Sequence, residues 1–258
     1  MTTSELRAYL RAAYIDLRLF ITGKTEKGLP PLRLRGDVGH GDFRSIGAAS
    51  RKLLIRHGLQ PGDRVLDIGS GIGRVAIPLT EYMSREGSYE GFDVTRSWVR
   101  WCRRNITPAH PNFRFSHARV SNTHYGRGGV DPSEFHFPYP DASFDFAFAM
   151  SVFTHMTLDG VRNYIAEAHR VLRPGGTLVA SFFFAEKDLR DVTLNFSVDR
   201  GSYRLLSESD PDWAIAFAPE MIDEFLPIAS WRDRLIEPGN WRHYASDEFQ
   251  DIVVVRKA

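Results

Sequence analysis

At 258 residues, 43% of them hydrophobic, the chain can bury one substantial core and reads as a single decorated domain. Its 33 basic and 32 acidic residues leave a net charge of +1, which forces no large basic surface and argues against a nucleic-acid partner. Cys102 is the only cysteine, so no intrachain disulfide can form.

No stretch reaches the roughly 20 apolar residues of a membrane helix. Residues 1–22 lack the continuous apolar run of a signal peptide. A cytoplasmic protein with no membrane partner is therefore expected.

Thr2 and Glu5 have capping-box spacing, and Leu6, Tyr9, Leu10, Ala13, Leu17 and Phe20 follow at helical spacing. This predicts an amphipathic helix packed on the domain, with Arg7, Arg11 and Arg18 on its solvated face. The alternative is a helix lying over the active site, offering arginines to an anionic substrate. Residues 23–41 are rich in Gly and Pro and carry Arg33 and Arg35. They lead into Gly39-His40-Gly41-Asp42-Phe43-Arg44 and a helix from about Ser45 to His57, which Gly58 and Pro61-Gly62-Asp63 end.

Val65 to Ile68 then reads as a short buried strand and Val75 to Tyr82 as a helix, with Gly69, Gly71 and Gly73 turning the chain between them. Glycine tolerates positive φ and lets a ligand approach the backbone, and the following helix points N–H groups at an anionic group. Gly71-Ile72-Gly73-Arg74-Val75-Ala76 also fits the dinucleotide pattern, with Asp93 20 residues after Gly73, so a nicotinamide-dependent oxidoreductase on a Rossmann sheet is one reading. Asp67 tips the balance, because a carboxylate beside the loop repels a pyrophosphate and suits a cofactor with an ammonium group.

The stretch resembles motif I, D-x-G-x-G-x-G, of the class I S-adenosylmethionine-dependent methyltransferases, of the type 11/25 kind. The resemblance implies that S-adenosylmethionine is the cofactor. Its methionine half would be held by Asp67, Gly69, Ser70, Gly71, Gly73 and Arg74, with Asp67 on the amino-acid side. Gly39-His40-Gly41-Asp42-Phe43-Arg44 also resembles the segment that closes over the cofactor in related methyltransferases; the alternative is a plain linker.

The second strand, Ser88 to Val94, ends in Gly91-Phe92-Asp93-Val94. An acid there can accept from both ribose hydroxyls, a job for paired carboxylate oxygens, and Val94 would flank the adenine. Trp98 to Cys102 continues as a helix, with Cys102 in the core. A third strand, Asn112 to Ser116, precedes His117-Ala118-Arg119-Val120-Ser121-Asn122. This resembles an H-x-D-V-x-N pattern of related methyltransferases, with Arg119 where the acid would stand. His117 or the Ala118 backbone is then expected to contact the adenine. Residues 123–140 carry His124 and Tyr125 and lack clear periodicity, and such long loops are often functional; this one is expected to cover the methyl-accepting pocket.

Phe144 to Met150 is a buried strand, followed by a helix from Leu158 to Leu172, a turn at Arg173-Pro174-Gly175-Gly176 and a strand from Thr177 to Phe183. The P-D-x-S-F-D … R-V-L-R-P-G-G-T-L arrangement resembles a second signature of the same family. Residues 186–213 show no strong period and stand where family members build a substrate lid. A short helix runs from Ala218-Pro219 to Leu226, and strands at about 233–237 and 249–256 close the chain.

The expected fold is α/β: a doubly wound, mostly parallel seven-stranded sheet with an antiparallel last strand and helical or loop caps. Residues 1–44 form the N-terminal cap helix and cofactor-closing segment, and 45–120 with 141–184 the cofactor core. Residues 121–140 and 185–217 form the lid insertions, and 218–258 the C-terminal helix and last two strands.

In this family the tip of the fourth strand faces the methyl group, so residues 150–155 matter. Ser151 is assigned to the cofactor. His155 is the candidate proton acceptor, since histidine titrates near neutral pH; the competing reading is a helix-start histidine making a local hydrogen bond. His117, His124 and Tyr125 are alternative bases.

Met150-Ser151-Val152-Phe153 is not the Asn/Asp-Pro-Pro-aromatic run of amine-directed enzymes, and no acids stand there to hold a divalent cation. Metal-free transfer to the oxygen of a small molecule or carbohydrate is therefore expected. Aromatic-rich loops suit a sugar or flat ring, and Arg7, Arg11 and Arg33 an anionic handle. A fold that has lost its cofactor and serves as a binding module is the third alternative.

Overall fold

A computed structural model describes residues 3–26, 28–35, 41–122, 128–186 and 192–258. Helix α1 (Thr3–Ile21) and the single turn α2 (Leu32–Arg35) precede α3 (Phe43–Arg56), whose first turn is capped by Asp42 accepting the Ser45 N–H at 2.7 Å. Next come β1 (Arg64–Ile68), the short α4 (Ala76–Leu79), β2 (Ser88–Asp93), α5 (Arg96–Asn105) and β3 (Phe113–His117). The second half holds β4 (Phe144–Ala149), α6 (Leu158–Val171), β5 (Leu172–Phe182), β6 (Val198–Asp199), β7 (Tyr203–Leu205) and β8 (Ile215–Phe217). The chain closes with α7 (Met221–Phe225), β9 (Trp231–Glu237) and β10 (Asp251–Lys257).

Seven strands pair in the order β3-β2-β1-β4-β5-β10-β9, parallel except where β10 meets β5 and β9. The expected doubly wound sheet with an antiparallel last strand is therefore present. Alternation along the strands explains why helices cover both faces. Leu66, Ile68, Ala147 and Ala149 pack with α6 and α7, whereas Val65, Phe146 and Phe148 pack with α3 and α5. The order reverses between β1 and β4, so their carboxyl ends open the crevice where open α/β sheets receive ligands.

Three elements differ from expectation. The apolar stripe of α1 is not packed on the domain: Tyr9, Leu10, Tyr14, Leu17, Phe20 and Ile21 are exposed. The helix is instead held along one edge of that stripe, where Asp16 accepts the Leu32 N–H (2.8 Å) and pairs with Arg33 (3.0 Å). Arg33 is thereby spent on Asp16 and not offered to a substrate. Arg173–Gly176 is no loop but part of β5, its turn signal absorbed by a register shift against β4 between Phe144 and Phe146. Residues 198–217, read as irregular, contain the antiparallel sheet β6-β7-β8, joined to the end of β5 by Phe217 N–H to Phe183 O (2.8 Å) and Ala185 N–H to Phe217 O (2.9 Å). Thr2, Gly39, His40, His124 and Tyr125 lie outside the described residues.

One buried acid fastens the late strands together. Asp251 is fully buried and accepts from Phe184 N (2.9 Å), Gly239 N (2.8 Å), Trp241 Nε1 (3.0 Å) and Arg242 Nη2 (2.7 Å). Asp251→Ala leaves those donors and a buried guanidinium without their acceptor. The expected cost in urea unfolding is about 3–5 kcal/mol. A loss below about 1 kcal/mol, the net worth of an ordinary hydrogen bond, would show that the hub is replaceable.

Candidate active site

At the carboxyl end of β1 the chain leaves the sheet through Gly69, Gly71 and Gly73, with φ of +77°, +54° and +81°. The Gly69 and Ser70 N–H groups both donate to Phe92 O at 2.9 Å, which ties the loop to β2. Gly91 makes that approach possible, since a Cβ there would stand 2.8 Å from Ser70 Cβ. Gly69 is constrained twice: its φ is left-handed, and a Cβ would meet Val152 Cγ2 at 2.5 Å. Arg74 follows half-buried, its carbonyl against Gly47 of α3. Phe43 packs with Ile72 and Trp98, so the described end of the Gly39–Phe43 segment lies against the loop.

Asp93 ends β2 and is 7% exposed. One carboxylate oxygen accepts the Gly71 N–H (2.8 Å) and the other the Thr95 N–H (2.7 Å). Burial pushes its pKa up, opposed by those backbone donors. Each oxygen keeps a further acceptor position, so the residue can hold the loop and still receive two hydroxyls. Ser70 Oγ is buried without a partner in the same loop, a polar atom that a bound ligand could satisfy.

Asp67 behaves differently from the expectation. It is 2% exposed on the α3/α5 side of the sheet, and its carboxyl receives the Tyr89 hydroxyl. Burial first, with repulsion from Asp93, raises its pKa to about 8 against the pull of Tyr89. Its place is thus beneath the loop, neutral at mid pH, and not on the cleft wall as an exposed carboxylate. Tyr89 was not singled out by sequence. The register that sets Asp67 beside Gly91 puts Tyr89 and Asp93 on the same face by two-residue alternation.

At the tip of β4, Ser151 adopts φ +56°, a left-handed conformation costing a non-glycine residue on the order of 1–3 kcal/mol. Its N–H donates to Ser181 Oγ (2.7 Å) and its hydroxyl to Gln250 Oε1 (2.9 Å), so the side chain is tied to the segment before β10. His155 sits in the 3-10 turn Phe153–His155, half-buried, with Nδ1 3.1 Å from Asp212 O in the β7–β8 connection. Asn122 Nδ2 donates to His155 O at 3.0 Å. Spacing could not have found the Asp212 contact, which is 57 residues away in sequence.

On the far side of β2, the Ala118 N–H donates to Asp93 O (2.9 Å), which removes it as a donor to adenine. His117 Nε2 lies 3.1 Å from Val94 O and, facing a carbonyl, donates to it. Val94 is partly buried against the core, and Arg119 is exposed. A cleft of about 180 Å3 beside the small sheet, lined among others by Ala185, Tyr203, Arg204 and Glu220, shares no residue with this site.

Residues 65–176 match a protein family described as "Methyltransferase domain". Sterol 24-C-methyltransferase erg6 of Schizosaccharomyces pombe is 26% identical over 185 residues, covering 69% of this chain and 44% of that protein. The 27-O-demethylrifamycin SV methyltransferase of Amycolatopsis mediterranei is 33% identical over 127 residues, covering 48% of this chain and 40% of that protein. The chain therefore spans less than half the length of either relative. The crystal structure of PH0226 protein from Pyrococcus horikoshii OT3 shares the fold, with a TM-score of 0.57 at 14% identity over 86% of this chain and 94% of that one.

The buried Asp67 sets a pH dependence. Its folded pKa of about 8 lies above the ordinary carboxylate value, so between about pH 4 and 8 the folded state keeps a proton that the unfolded chain has lost. Stability then falls as pH rises through that window. Without added ligand, Asp67→Asn is expected to lose less melting temperature between pH 5 and 8.5 than the parent. Equal losses would mean that Asp67 ionises normally.

Proposed function

We propose that this chain, which belongs to the class I S-adenosylmethionine-dependent methyltransferases, methylates a hydroxyl of a small molecule or sugar without a metal ion, with His155 as the proton acceptor. Family membership sets aside the nicotinamide-dependent reading. When bound, S-adenosylmethionine supplies a methyl group already activated on a positively charged sulfur. The residues present suit that group. The Ser70 hydroxyl and the glycine loop through Arg74 would receive its methionine end, with Asp67 and Tyr89 beneath. Asp93 would accept from the ribose hydroxyls, Val94 would border the adenine beside Ala118, and Ser151 would stand at the reacting end.

The observation that carries the oxygen-directed reading is the contact between His155 Nδ1 and Asp212 O at 3.1 Å. A carbonyl only accepts, so Nδ1 carries the hydrogen, and in the neutral ring Nε2 keeps the lone pair. That is the tautomer able to take a hydroxyl proton as the oxygen attacks. The 3-10 turn follows the tip of β4, and a base acting from there would use alignment to supply much of the rate as effective molarity.

The metal-free reading draws on the sequence at the tip of β4, where residues 150–155 include no Asp or Glu to hold a divalent cation. The names of the two relatives point to a carbon acceptor in one and an oxygen in the other. Membership alone therefore does not choose the atom; the placed histidine favours oxygen.

Two substitutions separate the binding and chemical roles. His155→Ala is expected to lower turnover by roughly 10²–10⁴-fold while calorimetric affinity for S-adenosylhomocysteine stays unchanged; a drop below about tenfold returns His155 to a structural role. Asp93→Ala is expected to weaken that affinity by about 1–3 kcal/mol, and an unchanged isotherm would place the ribose elsewhere.

A further inference from the structure

The outward face of α1 has no cover among the described residues. Tyr9, Leu10, Tyr14, Leu17, Phe20 and Ile21 are exposed, Phe20 to 74% and Ile21 to 73%. At about 3.6 residues per turn these side chains span an arc of roughly 140°. Leu10, Leu17, Phe20 and Ile21 fill its middle, and the two tyrosines stand at its rims. Beyond the Tyr14 rim follow Arg7, Arg11 and Arg18, all exposed and without an ion pair among the described residues. The helix is fixed just beyond the Tyr9 rim, where Asp16 is held by the Leu32 and Arg33 N–H groups and by the Arg33 guanidinium. The helix therefore presents this arc in a set orientation.

We infer that α1 is a peripheral anchor that lies in the surface of an anionic bilayer. The pattern fits that occupant in three ways. Apolar side chains at the centre can enter the acyl boundary, tyrosines at the rims have one apolar and one wet end, and arginines alongside meet anionic headgroups. The helix lies on the bilayer and does not cross it, since no helix among the described residues is long and apolar enough to cross.

A second copy of the chain fits less well. The arc is wider than the narrow seam of a two-helix coil. An isologous pairing would also bring the arginine row to a partner whose Asp16 is already spent on Arg33. The inference is independent of the reaction assigned above, because it concerns where the enzyme sits and not what it transfers.

The test is co-sedimentation of the full chain with vesicles of phosphatidylcholine containing about 30% phosphatidylglycerol, against phosphatidylcholine alone. Binding to the anionic vesicles is expected to be at least about tenfold stronger and to be lost in about 0.5 M salt. The Leu17→Glu/Phe20→Glu variant is expected to abolish it, and Arg11→Glu/Arg18→Glu to weaken it by about tenfold or more. Both variants should keep the parent circular dichroism and affinity for S-adenosylhomocysteine, which shows that the domain is folded. Equal binding to both vesicle types, no binding to either, or unchanged binding by the apolar variant overturns the inference. So does a lipid-free dimer in sedimentation velocity that Leu17→Glu/Phe20→Glu disperses, which would assign the face to a second copy.

Discussion

The site depends on the carboxylate of Asp93. By taking the Gly71 N–H on one oxygen and the Thr95 N–H on the other, it converts a flexible glycine run into a fixed rim at the end of β2. The loop's glycines offer no side chains to pack, and its one apolar anchor is Ile72, buried against Phe43 and Trp98. Its positive φ values are maintained by backbone bonds to Phe92 O and by this one acid. Each of its oxygens keeps one further acceptor position, so under the proposed function the residue that shapes the loop would also receive the ribose hydroxyls. Beneath it, Asp67 and Tyr89 form a second, buried tier whose charge state answers to burial.

Across the crevice the chain uses strain and distant partners. Ser151 is held in a left-handed conformation by Ser181 on β5 and Gln250 ahead of β10. His155 takes its ring orientation from Asp212, in the connection between two strands of the small sheet. The surroundings of Ser151 and His155 are therefore set by segments that arrive late in the sequence, and the glycine loop by segments that arrive early. A methyl acceptor would lie between two halves built by different parts of the chain.

The sheet and its glycine loop were legible because their signals are local. A strand, three alternating glycines, an acid at the next strand end and Pro-Gly turns each state their geometry within a few residues. The remainder depends on contacts that spacing cannot show. Tyr89 meets Asp67 through cross-strand register, and the Ala118 N–H is taken by the Asp93 carbonyl. The strands of the small sheet are two or three residues long, too short for alternation to register. Pro174-Gly175-Gly176 signalled a turn, and the neighbouring strand kept it in the sheet. For α1 the periodicity gave the helix and its apolar stripe correctly. It carried no information on what the stripe meets, and Asp16 decided which side faces inward.

The hub at Asp251 divides the molecule along a line different from its layers. Its four donors come from the start of the small-sheet segment and from the return between β9 and β10. The small-sheet segment and the sheet's far edge are thus joined through one carboxylate in the dry interior. The half from α3 to β3 supplies none of those four donors and meets the far edge through Arg56 and His57 on Glu237 and through Ile252 and Val254. Evolution could consequently exchange the cover for another, altering which molecules are admitted, while the cradle beneath stayed as it is.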